Sequence, residues 1–512
     1  MLIKCFSAAV QGIRAEIVTI EMHAVPGTDF VLVGLPDTAV KESRDRIRSA
    51  LQVNGFTLPV KQLTVNMAPA DLRKEGTGFD LPLAVGILCV GEHLKTNLLG
   101  HYLLLGELSL DGTLQPVHGV LPVALCARDN GFRGVIVPVG NAREAAVVDG
   151  LEVIPAGTLM EVVRFLRGEQ AIEPMSVNAE EEFLRTGYTS DQDMADIRGQ
   201  YELRRAMEVA AAGGHNMLMI GPPGSGKSML AKRLPTILPP LTLEEALETT
   251  AIHSVAGLLP PDQALVATRP FRSPHHTVTD VALIGGGNNP HPGEISLAHN
   301  GVLFLDEVPE YKRATLEVLR QPLEDRHIVV SRQKKTVDYP SSFMLVAAMN
   351  PCPCGHYGDS QHTCTCTPSQ IQRYKSRISG PLLDRIDIQC YVQAVPFDTL
   401  HKQEPGESSA VVRERVMKSR QIQQLRFQGT AVYCNAQMTS KMVRQFCKLD
   451  AHGSALLEQA ITKNGLSARA YDRILKVART IADLEGSDLI ESTHIWEAVN
   501  YRVLDKSNWT DF

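Results

Sequence analysis

The chain has 512 residues, of which 44% are hydrophobic and 21% are charged, and its formal net charge is −6. These values are ordinary for globular proteins, and the length allows about three domains, each with its own core. No apolar run approaches the roughly 18 residues of a membrane span, and the N-terminus lacks the apolar region of a signal peptide. Ten cysteines without a secretion signal favour a reducing compartment, so we predict a cytoplasmic protein with no membrane partner.

The first 168 residues have the pattern of an α/β domain. Alternating polar and apolar residues predict a strand over 15–21, and helical periodicity predicts helices over 38–54 and 81–89. Residues 169–195 are polar and acidic and lack clear periodicity, so we predict a linker there.

Residues 221–228, Gly-Pro-Pro-Gly-Ser-Gly-Lys-Ser, match the phosphate-loop pattern G-x-x-x-x-G-K-[ST] at every fixed position. The apolar run 216–220 precedes the loop and the helical pattern 229–234 follows it, which is the context that the pattern requires. In such a loop the backbone N–H groups surround phosphate oxygens, and the helix N-terminus favours negative charge. We therefore predict that Lys227 contacts the β- and γ-phosphates of ATP and that the Ser228 hydroxyl binds Mg²⁺.

A second apolar run, 301–305, is typical of a buried parallel strand and ends in two carboxylates, Asp306 and Glu307. We predict that Asp306 binds Mg²⁺ and that Glu307 orients and deprotonates the attacking water, which indicates hydrolysis rather than binding alone. A third run, 343–349, ends in Asn350, which either holds the lytic water or senses the γ-phosphate, or else forms a strand-end turn. The predicted nucleotide-binding residues are Gly221, Pro222, Pro223, Gly224, Ser225, Gly226, Lys227, Ser228 and Asp306.

Between the second and third runs the sequence predicts a β-hairpin with a basic tip. The arms are 328–330 and 336–337, and the basic residues are Arg332, Lys334 and Lys335. A basic tip suits the phosphate backbone of DNA, bound without sequence preference. The acidic net charge does not oppose this, because basic residues can line an inner surface of an acidic protein. The alternative is a solvated surface hairpin.

Four cysteines fall within fifteen positions, and they are Cys352, Cys354, Cys364 and Cys366. Four thiolates can hold a tetrahedral Zn²⁺ at about 2.3 Å, so we predict a structural zinc site, with His356 and His362 as spare candidate ligands. The C-x-C spacing is less typical of zinc than C-x-x-C, and the alternative is a loop of free or redox-active thiols. The adjacent His275 and His276 predict polar contacts rather than a metal site.

The remaining periodicity completes the domain organisation. Residues 196–400 alternate strands with helices around the phosphate loop, which predicts a parallel sheet, and helical periodicity from 411 to 504 predicts an all-helical domain. The predicted segments are therefore 1–168, the linker 169–195, the core 196–400 with its cysteine loop 352–366, and the helical domain 401–512.

The phosphate loop, the Asp306–Glu307 pair, Asn350 and the helical domain together resemble AAA+ ATPases, with the helical domain as the lid. Three segments resemble the magnesium-chelatase branch of that class, which includes MCM-type helicases, and they are 272–277, 380–387 and 465–471. Over nearly its whole length the chain is similar to the ComM/YifB-type magnesium chelatase-like ATPases. This resemblance implies ATP and Mg²⁺ as cofactors and a hexameric ring acting on single-stranded or branched DNA. It also implies helicase and branch-migration activity in natural transformation. The alternative is a protein-remodelling or chelatase-type ATPase that does not act on DNA.

The resemblance also assigns roles to two arginines. Arg385 matches the arginine finger, which is delivered to the ATP of the neighbouring subunit, and Arg469 matches the sensor arginine of the lid. A guanidinium can neutralise phosphoryl charge in the transition state and does not lose its proton. The alternative for either residue is a surface ion pair, which Asp384 and Asp387 could supply for Arg385.

Residues 1–168 resemble the peptidase domain of Lon-type proteases but lack its catalytic pair. Gly78 stands where the resemblance implies the serine nucleophile, with Thr77 adjacent but displaced, and Leu121 stands where it implies the lysine base. Without a nucleophile and a base there is no covalent route to peptide hydrolysis. We therefore expect a catalytically dead Lon-like domain that organises the ring or contacts DNA.

Overall fold

The computed structural model describes residues 2–27, 29–57, 61–186, 191–287, 290–332, 335–359, 362–393, 406–464 and 468–502. The chain forms two compact units. Unit 1 consists of Met1–Gly187, Thr242–Ala267 and Pro290–Pro292, and unit 2 consists of Tyr188–Leu241, Thr268–Asn289 and Gly293–Phe512. Thr242–Ala267 therefore packs with the N-terminal part of the chain, although the predicted boundaries placed it within the core 196–400.

Unit 1 contains a mixed seven-stranded sheet. The strands of unit 1, inside and outside this sheet, are β1 (Leu2–Gln11), β2 (Arg14–Val25), β3 (Phe30–Val33), β4 (Gln62–Ala68), β5 (Tyr102–Leu104), β6 (Glu107–Leu108), β7 (Leu114–Gln115), β8 (Gly134–Pro138), β9 (Glu152–Ala156) and β13 (His291–Pro292). The strand order in the large sheet is β3-β4-β2-β1-β5-β8-β9, and β6 pairs with β7 in a separate ribbon. The predicted strand 15–21 lies inside β2, which pairs antiparallel with β1.

The helices of unit 1 are α1 (Thr38–Val53), α2 (Asp80–Val90), α3 (Val120–Asp129), α4 (Val139–Ala145), α5 (Leu159–Arg167), α6 (Ala179–Thr186) and α9 (Leu243–Val255). Every residue of α2 is buried, which agrees with its almost entirely apolar sequence. Helix α6 lies inside the predicted linker 169–195, and Met175 in the same stretch forms a β-bridge with Val153. Much of that segment is thus structured. Helix α6 was not predicted, because the segment is mostly polar and the helix is only eight residues long.

Unit 2 is built around a parallel five-stranded sheet in the order β11-β14-β17-β10-β18. The strands of unit 2, inside and outside this sheet, are β10 (Met217–Ile220), β11 (Phe271–Arg272), β12 (Gly285–Gly286), β14 (Val302–Leu305), β15 (His327–Arg332), β16 (Lys335–Pro340), β17 (Met344–Met349) and β18 (Ile388–Tyr391). Strands β10, β14 and β17 are buried throughout, as strands covered on both faces must be. Because they are parallel, their carboxyl ends meet at one edge, which is where ligands bind in such sheets.

The helices of unit 2 include an all-helical C-terminal part, as predicted. They are α7 (Tyr201–Gly213), α8 (Lys227–Arg233), α10 (Asp280–Ile284), α11 (Glu294–Leu297), α12 (Arg313–Glu317), α13 (Arg320–Asp325), α14 (Pro368–Lys375), α15 (Gly380–Leu383), α16 (Ser409–Arg426), α17 (Ser440–Phe446), α18 (Ala451–Asn464), α19 (Ala468–Glu485) and α20 (Ser492–Asn500). One apolar core joins the sheet to this C-terminal part, with Met219 and Val346 from strands and Ile474 and Ile481 from α19.

Candidate nucleotide site

The phosphate loop connects strand β10 to helix α8 at the carboxyl edge of the parallel sheet. Gly226 immediately precedes the helix with φ +87°, a left-handed conformation that suits glycine. The loop therefore ends on a helix N-terminus, whose free N–H groups and dipole favour an anion. The predicted strand, loop and helix are all present in this order.

Lys227 bridges the phosphate loop and the end of the neighbouring strand β17. Its ammonium donates to the carbonyl oxygens of Gly221 and Pro222 at 2.8 and 2.9 Å, and it lies 3.3 Å from Asn350 Oδ1. Burial lowers the pKa of Lys227, whereas the charges of Asp306 and Glu307 act in the opposite direction. Two predicted site residues more than a hundred positions apart, Lys227 and Asn350, are thus in contact.

Ser228 and Asp306 are also in contact, as the magnesium prediction requires. The Ser228 hydroxyl donates to Asp306 Oδ2 at 2.5 Å, joining the first turn of α8 to the end of β14. A hydroxyl and a carboxylate oxygen are hard ligands of the kind that Mg²⁺ prefers, and Mg²⁺ usually keeps several waters besides one or two protein ligands. The pair therefore fits a magnesium ion bound together with nucleotide phosphates.

Glu307 follows Asp306 in a left-handed conformation that is rare for residues other than glycine. Its φ is +50°, and its backbone N–H donates to Asp306 Oδ1 at 2.9 Å. The side chain is 54% exposed, and its Oε2 lies 3.7 Å from His276 Nδ1. Backbone strain of this kind collects at functional sites. The Glu307 carboxylate at the end of β14 is thus accessible to water.

The contact between Glu307 and His276 was not predicted, because the sequence indicated only polar contacts for His275 and His276 in general. The rings of His275 and His276 lie 4.0 Å apart between centroids, and the His276 ring also meets Tyr311 edge-on at 6.4 Å. The segment between α9 and β14 carries no motif that indicates this contact. Only the fold shows that His276 stands beside the end of β14.

Arg385 is buried against its own subunit. Its side chain is 7% exposed, one guanidinium nitrogen pairs with Glu324, and another donates to the carbonyl of Pro381 at 2.5 Å. Its Nε has no hydrogen-bond partner among the described residues. Asp387, one of the two carboxylates predicted to pair with Arg385, instead pairs with Arg473 and His215. The carboxylate that forms the ion pair with Arg385 is Glu324 on α13.

Arg469 is exposed at the start of α19, directly after residues 465–467, which lie outside the described part of the chain. Within the described part it makes no hydrogen bond or ion pair, so its sensor role stays a prediction. One turn further along α19, Arg473 contacts the core through an ion pair with Asp387.

Asp387 is the centre of a buried polar network that the sequence did not indicate. Asp387 Oδ1 accepts from Arg473, and Asp387 Oδ2 lies 3.2 Å from His215 Nδ1. The other ring nitrogen of His215, Nε2, lies 2.8 Å from the Thr480 hydroxyl on α19. Burial opposes ionisation of Asp387, but Arg473 and His215 outweigh it and lower its pKa well below the usual range. Since His215 lies two residues before strand β10, this network connects helix α19 to the strand that leads into the phosphate loop.

The four predicted metal-ligating cysteines converge. Cys352 Sγ lies 3.3 Å from Cys354 Sγ and 3.7 Å from Cys364 Sγ, and Cys354 Sγ lies 3.6 Å from Cys364 Sγ. Cys366 Sγ accepts the backbone N–H of Cys354 at 3.4 Å, and all four sulfurs lie within 4.8 Å of one another. Tetrahedral zinc with bonds of about 2.3 Å separates its sulfur ligands by about 3.8 Å. The cluster therefore fits Zn²⁺, and none of the four cysteines is in a disulfide.

The cysteine loop packs against the phosphate loop. Gly355 has φ +86°, and a Cβ at this position would lie 2.6 Å from Pro223 Cδ. A hydrogen bond from the backbone of His356 is the first cause that lowers the pKa of Cys354 to about 5. Because Gly355 packs on Pro223, a change in the conformation of the cysteine loop would move the phosphate loop.

The predicted hairpin is present as β15 and β16, which pair antiparallel from His327↔Pro340 to Arg332↔Lys335. Lys334 at its tip lies outside the described residues, and the side chains of Arg332 and Lys335 are also outside them. Their contact with DNA stays a prediction.

In unit 1, packing surrounds the two positions at which the resemblance to Lon-type peptidases implied a catalytic pair. A Cβ on Gly78 would lie 2.9 Å from a methyl carbon of Leu105, and Leu121 is fully buried with its N–H donating to Glu144 at 2.8 Å. Neither position can carry a nucleophile or a base as it stands. In the described part of the chain no helix is long and apolar enough to cross a membrane.

Known families match three parts of the chain. Residues 193–400 match the family "Magnesium chelatase, subunit ChlI", residues 20–141 match "Subunit ChlI of Mg-chelatase", and residues 406–502 match "Magnesium chelatase, subunit ChlI C-terminal". The first and third matches cover the nucleotide site and the C-terminal helices described above.

Relatives that match nearly the whole chain indicate a more specific family than the three separate matches do. The chain is 46% identical over 501 residues to protein YifB of Escherichia coli K12, covering 97% of this chain and 96% of YifB. It is also 46% identical over 503 residues to "Competence protein ComM" of Haemophilus influenzae, covering 98% and 97%. A "Magnesium-chelatase 38 kDa subunit" of Cereibacter sphaeroides is 23% identical over 326 residues, or 58% of this chain and 87% of that subunit.

Proposed function

This chain belongs to the ComM/YifB-type family of magnesium chelatase-like AAA+ proteins, and we propose that it is a ring-forming ATPase that moves along DNA. ATP hydrolysis would drive helicase and branch-migration activity on recombination intermediates during natural transformation. The proposal places the protein in the cytoplasm as a homo-oligomer, expected to be a hexameric ring, with single-stranded or branched DNA as its partner.

The observation that carries the ATPase part is the set of contacts at the sheet edge. Lys227 reaches Asn350, Ser228 reaches Asp306, and Glu307 follows in a strained turn that is open to water. These are the groups that phosphoryl transfer needs for positioning, metal binding and water activation. Bound Mg²⁺ would neutralise charge on the phosphate oxygens, while Lys227 orients the phosphates and Glu307 takes the proton of the attacking water.

DNA stimulation of hydrolysis tests the motor part of the proposal. ATPase rates measured without DNA and with single-stranded, duplex and branched DNA should rise with at least one of the three, and most with the structure that the protein acts on. Equal rates in all four conditions would contradict a DNA motor and leave the ATPase assignment intact.

A protein-remodelling or chelatase-type ATPase is the second candidate, and the similarity to the magnesium-chelatase subunit favours it. The same rate measurement separates the two, because such an enzyme responds to a protein partner and not to DNA. The basic composition of the hairpin tip favours the DNA motor.

Replacing the basic tip of the hairpin should uncouple hydrolysis from DNA. Changing Lys334 and Lys335 together to Ala should weaken DNA binding equally for all sequences. It should also lower the slope of log affinity against log salt by about one to two units per chain, because fewer counterions are released. Strand unwinding should fail, while ATPase activity without DNA persists. The matched control changes the exposed Lys441 and Lys448 to Ala. A tip variant with wild-type salt dependence and full unwinding would identify the hairpin as a solvated surface feature.

We also propose that the four-cysteine cluster holds structural zinc. Protein purified without chelators should contain at least about one zinc per chain, and changing Cys352 and Cys364 together to Ser should remove the ion held by the cysteines. Because Gly355 packs on Pro223, loss of that ion should lower both the melting temperature and the affinity for ATP. The control is Cys126→Ser, because this cysteine lies in unit 1 and is not part of the four-cysteine cluster. Metal-free protein with unchanged ATP affinity would support the free-thiol alternative.

A further inference from the structure

The loop that carries the cysteine cluster is symmetric about Asp359 in its metal-ligating residues. His356 and His362 lie three residues to either side of Asp359, Cys354 and Cys364 lie five residues away, and Cys352 and Cys366 lie seven. The ligand atoms form two separate groups, with the four sulfurs in one and His356, Asp359 and His362 in the other.

The second group has the geometry of a small metal site. His356 Nδ1 and His362 Nδ1 lie 3.2 and 2.9 Å from the same atom, Asp359 Oδ2, and the ring centroids are 4.7 Å apart. The ligand atoms of all three residues lie within 4.8 Å of one another. Tetrahedral zinc with bonds of about 2.0–2.1 Å separates nitrogen and oxygen ligands by about 3.3 Å. Two of the three separations are already close to this value.

The turn that carries His356 and Asp359 is anchored to the end of strand β18. The N–H of Asp359 donates to the His356 carbonyl at 3.1 Å, and Tyr391 Oη donates to the Tyr357 carbonyl at 3.3 Å. Gly358 has φ +78°, which lets the chain turn tightly beside Tyr391. A turn held in this way fixes the backbone of His356 and Asp359 before any ion binds, which lowers the entropic cost of binding.

The burial of the three ligands indicates where an ion would sit. The Asp359 side chain is 5% exposed, whereas His356 and His362 are 32% and 61% exposed. The carboxylate is thus the inner ligand and the imidazoles are the outer ones. Three protein ligands leave one tetrahedral position, facing solvent, for water. Imidazole and carboxylate together suit divalent transition-metal ions rather than Mg²⁺ or Ca²⁺.

We propose that His356, Asp359 and His362 form a second metal site for a divalent transition-metal ion of the zinc class, separate from the four-cysteine cluster. The site is solvent-exposed and exchangeable, whereas the cysteine site is closed. This proposal goes beyond the ATPase function and does not depend on it, because metal content is measured without nucleotide or DNA.

Metal stoichiometry tests the second site. The wild-type protein, equilibrated with micromolar free zinc and freed of excess, should contain about two zinc ions per chain by elemental analysis. His362→Gln keeps a hydrogen-bonding group beside Asp359 but removes a good zinc ligand, so it should contain about one. Its affinity for the second ion, titrated against a chromogenic chelator, should fall by more than about 100-fold. Loss of a residue that only hydrogen-bonds to a metal ligand costs up to about 100-fold, and loss of a direct ligand should cost more.

The exposed His452→Gln on α18 is the matched control and should keep both ions. Cobalt substitution identifies the sites without mutation. One equivalent should give the intense thiolate charge-transfer bands of the cysteine site, and a second should add weak bands without further thiolate absorption. One ion per chain in both the wild type and His362→Gln would reduce the group to a hydrogen-bonded cluster. Loss of both ions in His362→Gln would make His362 part of the cysteine site and overturn the proposal of a separate one.

Discussion

Glu307→Gln should bind ATP with nearly wild-type affinity and hydrolyse it about 10²–10⁴-fold more slowly, the range that a general base contributes. The amide keeps the size and hydrogen-bonding reach of the carboxylate but cannot accept the proton of the attacking water. The Lys227, Ser228 and Asp306 contacts do not include the Glu307 side chain, so the binding half of the site should survive. Binding of a fluorescent ATP analogue and steady-state phosphate release measure the two effects separately.

Two comparison variants sharpen this prediction. Glu310→Gln changes an exposed carboxylate three residues further on, which pairs with Arg377, and should leave hydrolysis unchanged. Lys227→Ala should instead abolish ATP binding, because the phosphates lose their buried positive charge. Normal turnover by Glu307→Gln would remove Glu307 from the mechanism. Loss of binding comparable to that in Lys227→Ala would give it a structural role in the site.

The nucleotide site was largely predictable because its parts are local patterns. A phosphate loop needs a strand, a glycine-rich turn and a helix in immediate succession, and all three can be read from residues 216–234. The carboxyl ends of parallel strands share one edge, so Asp306 and Asn350 could be placed beside the loop once their strands were predicted. The cysteine cluster was equally accessible, since its two pairs lie within one short loop.

The polar network around Asp387 could not be predicted in the same way. Asp387 lies 172 residues from His215 and 86 from Arg473, and no local pattern connects the three. The packing of α9 with unit 1 is a similar case. The surface that α9 buries depends on distant residues such as Glu144, which contacts Ser254 on this helix. Long-range partners of this kind depend on topology, which periodicity does not report.

Arg385→Ala should leave ATP binding nearly intact and reduce hydrolysis by about 10³-fold or more, because an arginine finger acts on the transition state. In the single chain, Arg385 is held by Glu324 and the carbonyl of Pro381, with its Nε unpaired among the described residues. To reach the ATP of a neighbouring subunit, the guanidinium must exchange Glu324 for phosphate. The ion pair would then be a resting contact that ring assembly and nucleotide binding displace.

Glu324→Gln distinguishes this role from a purely structural ion pair. If the pair only stabilises the fold, Glu324→Gln and Arg385→Ala should lower the melting temperature by similar small amounts and have similar effects on hydrolysis. If Arg385 is the finger, Glu324→Gln should keep wild-type hydrolysis or exceed it, because the guanidinium is released more easily. Arg385→Lys should be nearly as inactive as Arg385→Ala, since an ammonium lacks the planar fork of the guanidinium.

Mixing two inactive variants tests whether the finger works across an interface. A Lys227→Ala subunit keeps Arg385, and an Arg385→Ala subunit keeps its nucleotide site, so a mixed ring contains some interfaces with both. Phosphate release should therefore recover partly on mixing and rise with the fraction of mixed interfaces. Equal mixing of each variant with the wild type calibrates the subunit exchange that this requires. A mixture as inactive as either parent, under conditions where exchange is demonstrated, would place Arg385 within its own subunit and make Glu324 its functional partner.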